Sequence, residues 1–242
     1  MSNNLYEQEL WDKGYKEFDF FVAEESDPVR QFLLENIPPI PGEAFEVGCF
    51  PGRYLALLGE LGWELSGIDQ TIHLRDMENW FASKNYKIGN FQRENFEKIF
   101  SNQKFDLVCS FGFIEHFTNW QDIIVQHLKL VKQGGKVIIT TPNFTGGQGL
   151  LHRFLDKNNY DMHNPKSMVP YKWKEILEQN GFEIHKAGYF GRFAFWYGWQ
   201  PRPYYKRFVL YRFMKVVPLL RKIIFFNTKI LSPFCGIAAT KR

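Results

Sequence analysis

The sequence predicts an α/β fold, a doubly wound, mostly parallel sheet of seven strands flanked by helices. Three observations predict it. From Glu43 onward, short runs of apolar and β-branched residues alternate with segments whose apolar residues recur at helical spacing. Glycine or polar residues mark most of the junctions between them. The chain has 242 residues, 45% of them hydrophobic, which suits a substantial core and argues against disorder.

Taken in order, "NLYEQELWDKGYKEFDFFV" reads as a leading helix and loop, with Tyr6, Trp11 and Tyr15 as candidates for a lid. "EAFEV" is the first strand and ends at Gly48. "GRYLALLGEL" places Tyr54, Leu57, Leu58 and Leu61 on one helical face, with Gly62 as the stop. "WELSGID" is the second strand. In the helix "TIHLRDMENWFASKN", Thr71 is the expected N-cap and Leu74, Met77 and Phe81 form the inner stripe. "YKIGNF" is a weak strand and "KFDLVCSF" a strong one. "NWQDIIVQHLKLVKQGG" reads as a helix with Ile123, Ile124, Leu128 and Val131 inward, and "KVIITTPN" as a buried strand. After a loop come the helix "YKWKEILEQNG", the strand "FEIHKAGYF" and, at the end, "FCGIAATKR" as one more strand.

The net charge of +4 is unevenly spread. Residues 184–242 hold 12 Lys and Arg and no Asp or Glu, leaving 18 basic against 26 acidic residues in the rest. Such a split points to a basic surface for an anionic partner, membrane or nucleic acid. Cys49, Cys109 and Cys235 are isolated, so neither a disulfide framework nor a metal site is expected. The start "MSNNLYEQEL" does not resemble a signal peptide, and the expectation is a cytoplasmic protein with reduced thiols.

In an open α/β sheet, ligands bind at the carboxyl ends of the strands. Three candidate segments fall there: Glu46 to Gly52 after the first strand, Asp69 at the end of the second, and "CSFGFIEHF" after the fourth. Glycines let backbone approach a ligand, and a strand-end carboxylate can accept both hydroxyls of a ribose. This ordered set resembles the class I S-adenosylmethionine-dependent methyltransferases over roughly residues 43–190. Glu46, Gly48 and Gly52 stand in the pattern of that family's first loop, "GID" in that of its ribose-binding acid, and "GNF" beside the adenine. "FDLVCSFGFIEHF" with "LKLVKQGGKVIITTPN" is similar to its later motifs. The resemblance implies a Rossmann-like fold, S-adenosyl-L-methionine as cofactor, and a binding set of Glu46, Gly48, Cys49, Phe50, Gly52, Asp69, Gln70, Asn90, Phe91, Ser110 and Phe111.

Two positions depart from the pattern. Phe50 replaces the middle glycine and Asn90 the usual aspartate. Asn90 can still accept from an adenine amino group. The Phe50 ring either caps the methionine end of the cofactor or fills the site, and its Cβ disfavours positive φ. Cys49 and Cys109 read as small apolar fillers rather than nucleophiles.

Methyl transfer needs the nucleophile held in line and water excluded, and a hydroxyl nucleophile also needs a base. His116, directly after the fourth strand, and His163, in "DMHNP", are the candidate catalytic residues. For His116 the equal alternative is a loop brace bonded to backbone. His152 is near in sequence, Glu115 and Asp161 are weaker candidates, and His73, His127 and His185 read as structural.

Residues 190–230 are basic and aromatic, with charges interrupting every apolar run before spanning length. On a helical wheel, Arg207, Lys215, Lys222 and Lys229 fall on one side and Val209, Phe213, Val216, Leu220 and Ile224 on the other, with Pro218 expected to kink or divide the helix. That is the pattern of a helix lying in a membrane interface; packing on the sheet or a homodimer contact is the alternative, and nucleic acid is disfavoured by the long aliphatic run.

The expected organisation is a helical lid segment over 1–42, a cofactor-binding core over 43–190, and a basic amphipathic insertion with the last strand over 191–242. The expected function is O-methylation of a small-molecule, sugar or lipid-linked cell-envelope precursor, by a cytoplasmic protein peripheral on the inner face of the membrane. The alternatives are an inactive scaffold of the same fold, or an N-methyltransferase on a lipid or small amine. A dinucleotide oxidoreductase is disfavoured, because the first loop lacks G-x-G-x-x-G.

Overall fold

A computed structural model describes residues 5, 8–14, 18–99, 102–198 and 203–242, so the lid candidates Tyr6 and Tyr15 lie outside the described residues. The seven strands of the sheet are β1 (Glu43–Val47), β2 (Glu64–Asp69), β3 (Lys87–Arg93), β4 (Phe105–Phe111), β5 (Val131–Pro142), β6 (Phe182–Phe190) and β7 (Phe234–Lys241), in the order β3-β2-β1-β4-β5-β7-β6. β1 pairs in parallel with β2 and β4, and only β7 runs antiparallel, between β5 and β6. This is the doubly wound sheet that the alternating pattern predicts.

Helices cover both faces. α2 (Pro28–Asn36), α3 (Arg53–Glu60) and α4 (Leu74–Ser83) bury Leu33, Leu55, Leu58, Met77 and Phe81 on one side. α5 (Trp120–Lys129) and α8 (Pro170–Gln179) bury Ile123, Ile124, Leu128, Trp173 and Leu177 on the other. Before the sheet stands α1 (Gln8–Gly14); α6 (Gly146–Leu155) and α7 (Lys157–Asp161) follow β5, and α9 (Tyr204–Ile223) lies between β6 and β7.

The structure corrects several boundaries. α4 begins at Leu74 after His73, not at Thr71. The Thr71 hydroxyl instead accepts the His73 N–H at 3.3 Å and donates to Asp12 Oδ1 at 2.8 Å, tying α1 to the turn after β2. α5 stops at Lys129, and Val131 opens β5, because that segment pairs beside β4 with a register shift near its start. The loop after Asn143 contains α6 and α7. α9 is one helix with Pro218 inside it, so the proline does not divide it. Its buried stripe centres on Leu210 and Val217, with Phe213, Leu220 and Ile224 packed alongside. The wheel's apolar side, expected to lie in a membrane interface, is thus split: Phe213, Leu220 and Ile224 pack inward, and Val209 and Val216 are exposed.

Candidate active site

The sheet's parallel order brings the carboxyl ends of β1, β2, β3 and β4 to one edge, and a cavity of about 210 Å³ opens there. Gly48, Phe50 and Pro51 line it from the first loop, Asp69 and Gln70 from the end of β2, and Phe111, Gly112, Phe113 and His116 from the segment after β4. Gln8 and Trp11 of α1 line it as well.

The first loop shows how it manages without the middle glycine. Gly48 and Gly52 carry the left-handed conformations, at φ +69° and +81°, and Phe50 is not among the residues with positive φ. A Cβ on Gly48 would stand 2.4 Å from Phe113 Cδ2, so glycine there lets the Phe113 ring come down onto the loop. The Phe50–Pro51 peptide is cis. The Phe50 ring lies at the cavity margin, 5.9 Å from both Phe18 and Phe20, and leaves the cavity open beside it.

Asp69 binds the surrounding turns together. Its Oδ2 accepts the Phe50 N–H at 3.1 Å and its Oδ1 the Thr71 N–H at 2.9 Å. Burial pushes its carboxyl up to about 6, against the opposing pull of the Thr71, Phe50 and Gln70 amides. With three amides on its four lone-pair sites, the carboxylate has room for one further donor.

Six expected binding residues do not line the cavity. Glu46 points under α3; burial raises its carboxyl well above the usual range, against Arg53 and the Leu55 N–H. Cys49 is fully buried in the core, and Gly52 packs beside Met77 and Phe81. Ser110 is buried with its hydroxyl lacking a hydrogen-bond partner. Asn90 and Phe91 fall short of the cavity because β3 runs on to Arg93. Glu94 and Phe96 stand at the true strand end and line the cavity instead. Applied to the full length of β3, the strand-end rule finds Glu94; the same rule at β4 finds Phe113.

The two candidate histidines occupy successive layers. His116 lines the cavity, with the Trp11 ring edge-on at 4.8 Å. Its Nδ1 lies 3.0 Å from the Met162 carbonyl oxygen, so a hydrogen on Nδ1 is donated there, and the Gly112 carbonyl also engages the ring. Burial depresses its pKa to about 4, while the Met162 and Gly112 carbonyls favour the protonated form. His163 does not reach the cavity wall. Its ring lies behind that of His116, tilted by 51° with centroids 4.7 Å apart, its Nδ1 2.7 Å from the Asn159 carbonyl, and burial, with His116 next, lowers its pKa well below the ordinary value.

Below them Glu115 is fully buried, with neither carboxylate oxygen hydrogen-bonded, and its Oε1 lies 4.0 Å from His116 Nε2. Burial raises its carboxyl to about 8. Glu115, His116 and His163 each offer a ligand atom, and these atoms lie within 4.8 Å of one another. His152 sits in an aromatic box, 4.0 Å from Phe144 and 4.4 Å from Phe195, with neither nitrogen partnered. His127 is buried in the core with Nδ1 near the Ile123 carbonyl, and His185 lies on exposed β6. Asp161 pairs with Lys157 on the surface.

The cavity can take a nucleoside-like ligand. It offers a carboxylate with room for one further donor, a glycine-bearing loop, aromatic walls and one neutral imidazole. Residues 15–187 match a family model described as "Methyltransferase domain". The chain is 25% identical over 185 residues to the ubiquinone biosynthesis O-methyltransferase of Rickettsia bellii, covering 71% of this chain and 76% of that protein. Among solved structures, it resembles a SAM-dependent methyltransferase from Archaeoglobus fulgidus (TM-score 0.56, 21% identity, 88% of this chain and 93% of that one). It also resembles the magnesium protoporphyrin IX methyltransferase of Synechocystis PCC 6803 with SAH bound (TM-score 0.54, 13% identity, 97% and 94%).

Proposed function

Since the chain belongs to the methyltransferase-domain family, we propose that it transfers a methyl group from S-adenosyl-L-methionine to a hydroxyl of a small-molecule acceptor, a sugar or lipid-linked precursor among them. The observation that carries this reading is the strand-end carboxylate of Asp69 facing the same cavity as His116. When bound, the cofactor supplies an electrophilic methyl group on a sulfonium. Asp69 would hold the ribose hydroxyls, and the backbone of Gly48 and Phe50 would flank the amino-acid end. Gln70, Glu94, Phe96 and Phe111 would border the nucleoside, and Trp11 would exclude water.

His116 is the group placed to take the acceptor's proton. Its neutral imidazole lines the cavity, with Glu115 Oε1 4.0 Å from Nε2. The Met162 and Gly112 carbonyls, which favour the protonated ring, would stabilise the imidazolium formed when His116 takes that proton. His163 supports the ring from behind and does not act as the base. The O-methyltransferase name of the Rickettsia relative favours a hydroxyl over an amine acceptor.

Residues 200–230 add the second half of the proposal, a peripheral contact with an anionic membrane surface on the cytoplasmic side. That contact suits a lipid-linked acceptor, and a homodimer is the alternative use of the same segment. Calorimetry with S-adenosyl-L-methionine tests the first half. The wild type should bind and Asp69→Ala should bind more than about tenfold more weakly. No detectable heat for the wild type would favour a scaffold of the same fold.

A further inference from the structure

α9 fills its structural role with one stripe. Leu210, Phe213 and Val217 pack against Leu155, Phe193 and Phe195. The opposite side is also apolar, and it is open. Phe208, Tyr211, Leu219 and Ile223 are all exposed, and the turn that follows presents Phe225 at 72% exposure. Arg212, Lys215 and Lys222 are exposed among them, with the Lys215 ammonium 4.4 Å above the Tyr211 ring. Arg221 is also exposed, and residues 184–242 contain no Asp or Glu.

The surface has a fixed relation to the cavity. β6 ends at Phe190 and β7 begins at Phe234, and those two residues pair. Phe234 also pairs with Pro142, the last residue of β5. The segment carrying α9 therefore leaves and re-joins the sheet at the carboxyl edge, where the cavity opens. α6, which starts at this edge, is bolted to the same segment by Asn143 Nδ2, which donates to the carbonyls of Lys229 and Ser232, and by Gln148 Nε2, which donates to those of Ala194 and Leu231. The outer side of α6 exposes Leu150 and Phe154. Ring contacts join the two regions without a break. His116 meets His163 at 4.7 Å, His163 meets Phe144 at 4.6 Å, Phe144 meets His152 at 4.0 Å, His152 meets Phe195 at 4.4 Å, and Phe195 meets Phe213 of α9 at 5.2 Å.

We propose that the outer face of α9, with the Phe225–Phe226 turn and the outer side of α6, seats on an anionic lipid bilayer and turns the carboxyl edge of the sheet toward it, so that the acceptor is an amphiphile presented from the lipid surface. This rests on the methyltransferase reading above. The mixture of exposed basic and apolar side chains decides the occupant. Anionic headgroups satisfy the Lys and Arg residues while the hydrocarbon boundary takes the aromatic and aliphatic ones. A second copy of the same face would set these positive charges against each other, with no acidic residue in the segment to offset them. Among the described residues no helix is long and apolar enough to cross a membrane, so the contact is one that lies on the surface.

The test is co-sedimentation of the full chain with vesicles of phosphatidylcholine alone and of phosphatidylcholine with phosphatidylglycerol, at low and high salt. The expected result is at least tenfold stronger partition to the anionic vesicles, weakening with salt. The charge variant Arg221→Gln/Lys222→Gln and the apolar variant Phe225→Ser/Phe226→Ser should each reduce that partition about tenfold. Equal partition of the wild type to both vesicles, or unchanged partition of both variants, overturns the proposal. So does a concentration-dependent dimer that the variants split, without vesicle binding. Parallel calorimetry with S-adenosyl-L-methionine separates the two readings: cofactor binding without vesicle binding removes the docking surface alone, and vesicle binding without cofactor binding removes the methyltransferase reading.

Discussion

Asp69 Oδ2 accepts the backbone N–H of Phe50 at 3.1 Å, so the carboxylate at the tip of β2 also holds the first loop in shape. Replacing Asp69 therefore removes two things at once, a candidate ribose acceptor and a brace for the loop. Because burial sets its pKa at about 6, the charged form that accepts hydroxyls is lost as the pH falls through that value. Cofactor affinity measured by calorimetry should fall steadily below about pH 6, and that dependence should vanish in Asp69→Ala, whose binding is already weak.

Gly48→Ala places a methyl group against the Phe113 ring and forces a left-handed conformation on alanine. Strain of this kind costs about 1–3 kcal/mol. Thermal unfolding should show that loss, and calorimetry should show weaker cofactor binding, because Phe113 has to leave its place on the cavity wall.

His116→Ala should lower turnover by about 10²–10⁴-fold with little change in cofactor affinity, as expected for loss of a base. His163→Ala should have a smaller effect, because His163 stands behind His116 rather than at the wall. Labelled methyl transfer to hydroxyl acceptors, with binding measured separately, checks both. A larger turnover loss for His163→Ala than for His116→Ala would reverse the assignment.

Glu115 gives a prediction for stability. Its carboxyl rises from 4.5 to about 8 on burial, so the native state holds a proton that the unfolded chain releases. The resulting contribution is full below about pH 4.5 and is lost as the pH climbs toward 8. Glu115→Gln, which carries no charge, should flatten the dependence of unfolding temperature on pH across that window and be the more stable protein at its upper end. A wild-type profile that Glu115→Gln leaves unchanged would remove the buried carboxyl as its cause.

The fold was legible because its signals are local. The apolar strand runs, the inner stripe of Leu74, Met77 and Phe81, and the glycines of the first loop each follow from spacing alone. The cavity lining was less so. The resemblance points to Asn90, while an exposed edge strand carries no burial pattern that marks where it stops, so nothing in the sequence points to Glu94. The placing of His163 behind His116 depends on how α7 folds back, and nothing in "DMHNP" encodes that depth. The helical wheel does not say which side of α9 faces in, because the helix is apolar on both sides. Only its packing on Leu155, Phe193 and Phe195 reveals which side faces in.

The pairing of Phe190 with Phe234 closes the segment between them into one excursion from the sheet. A bare turn joining these two residues would preserve the register of the final hairpin. The stretch between them leaves and re-joins the sheet at one edge, and the family match ends at residue 187, just short of it. Changes confined to that stretch can therefore leave the strand pairing at its two ends untouched.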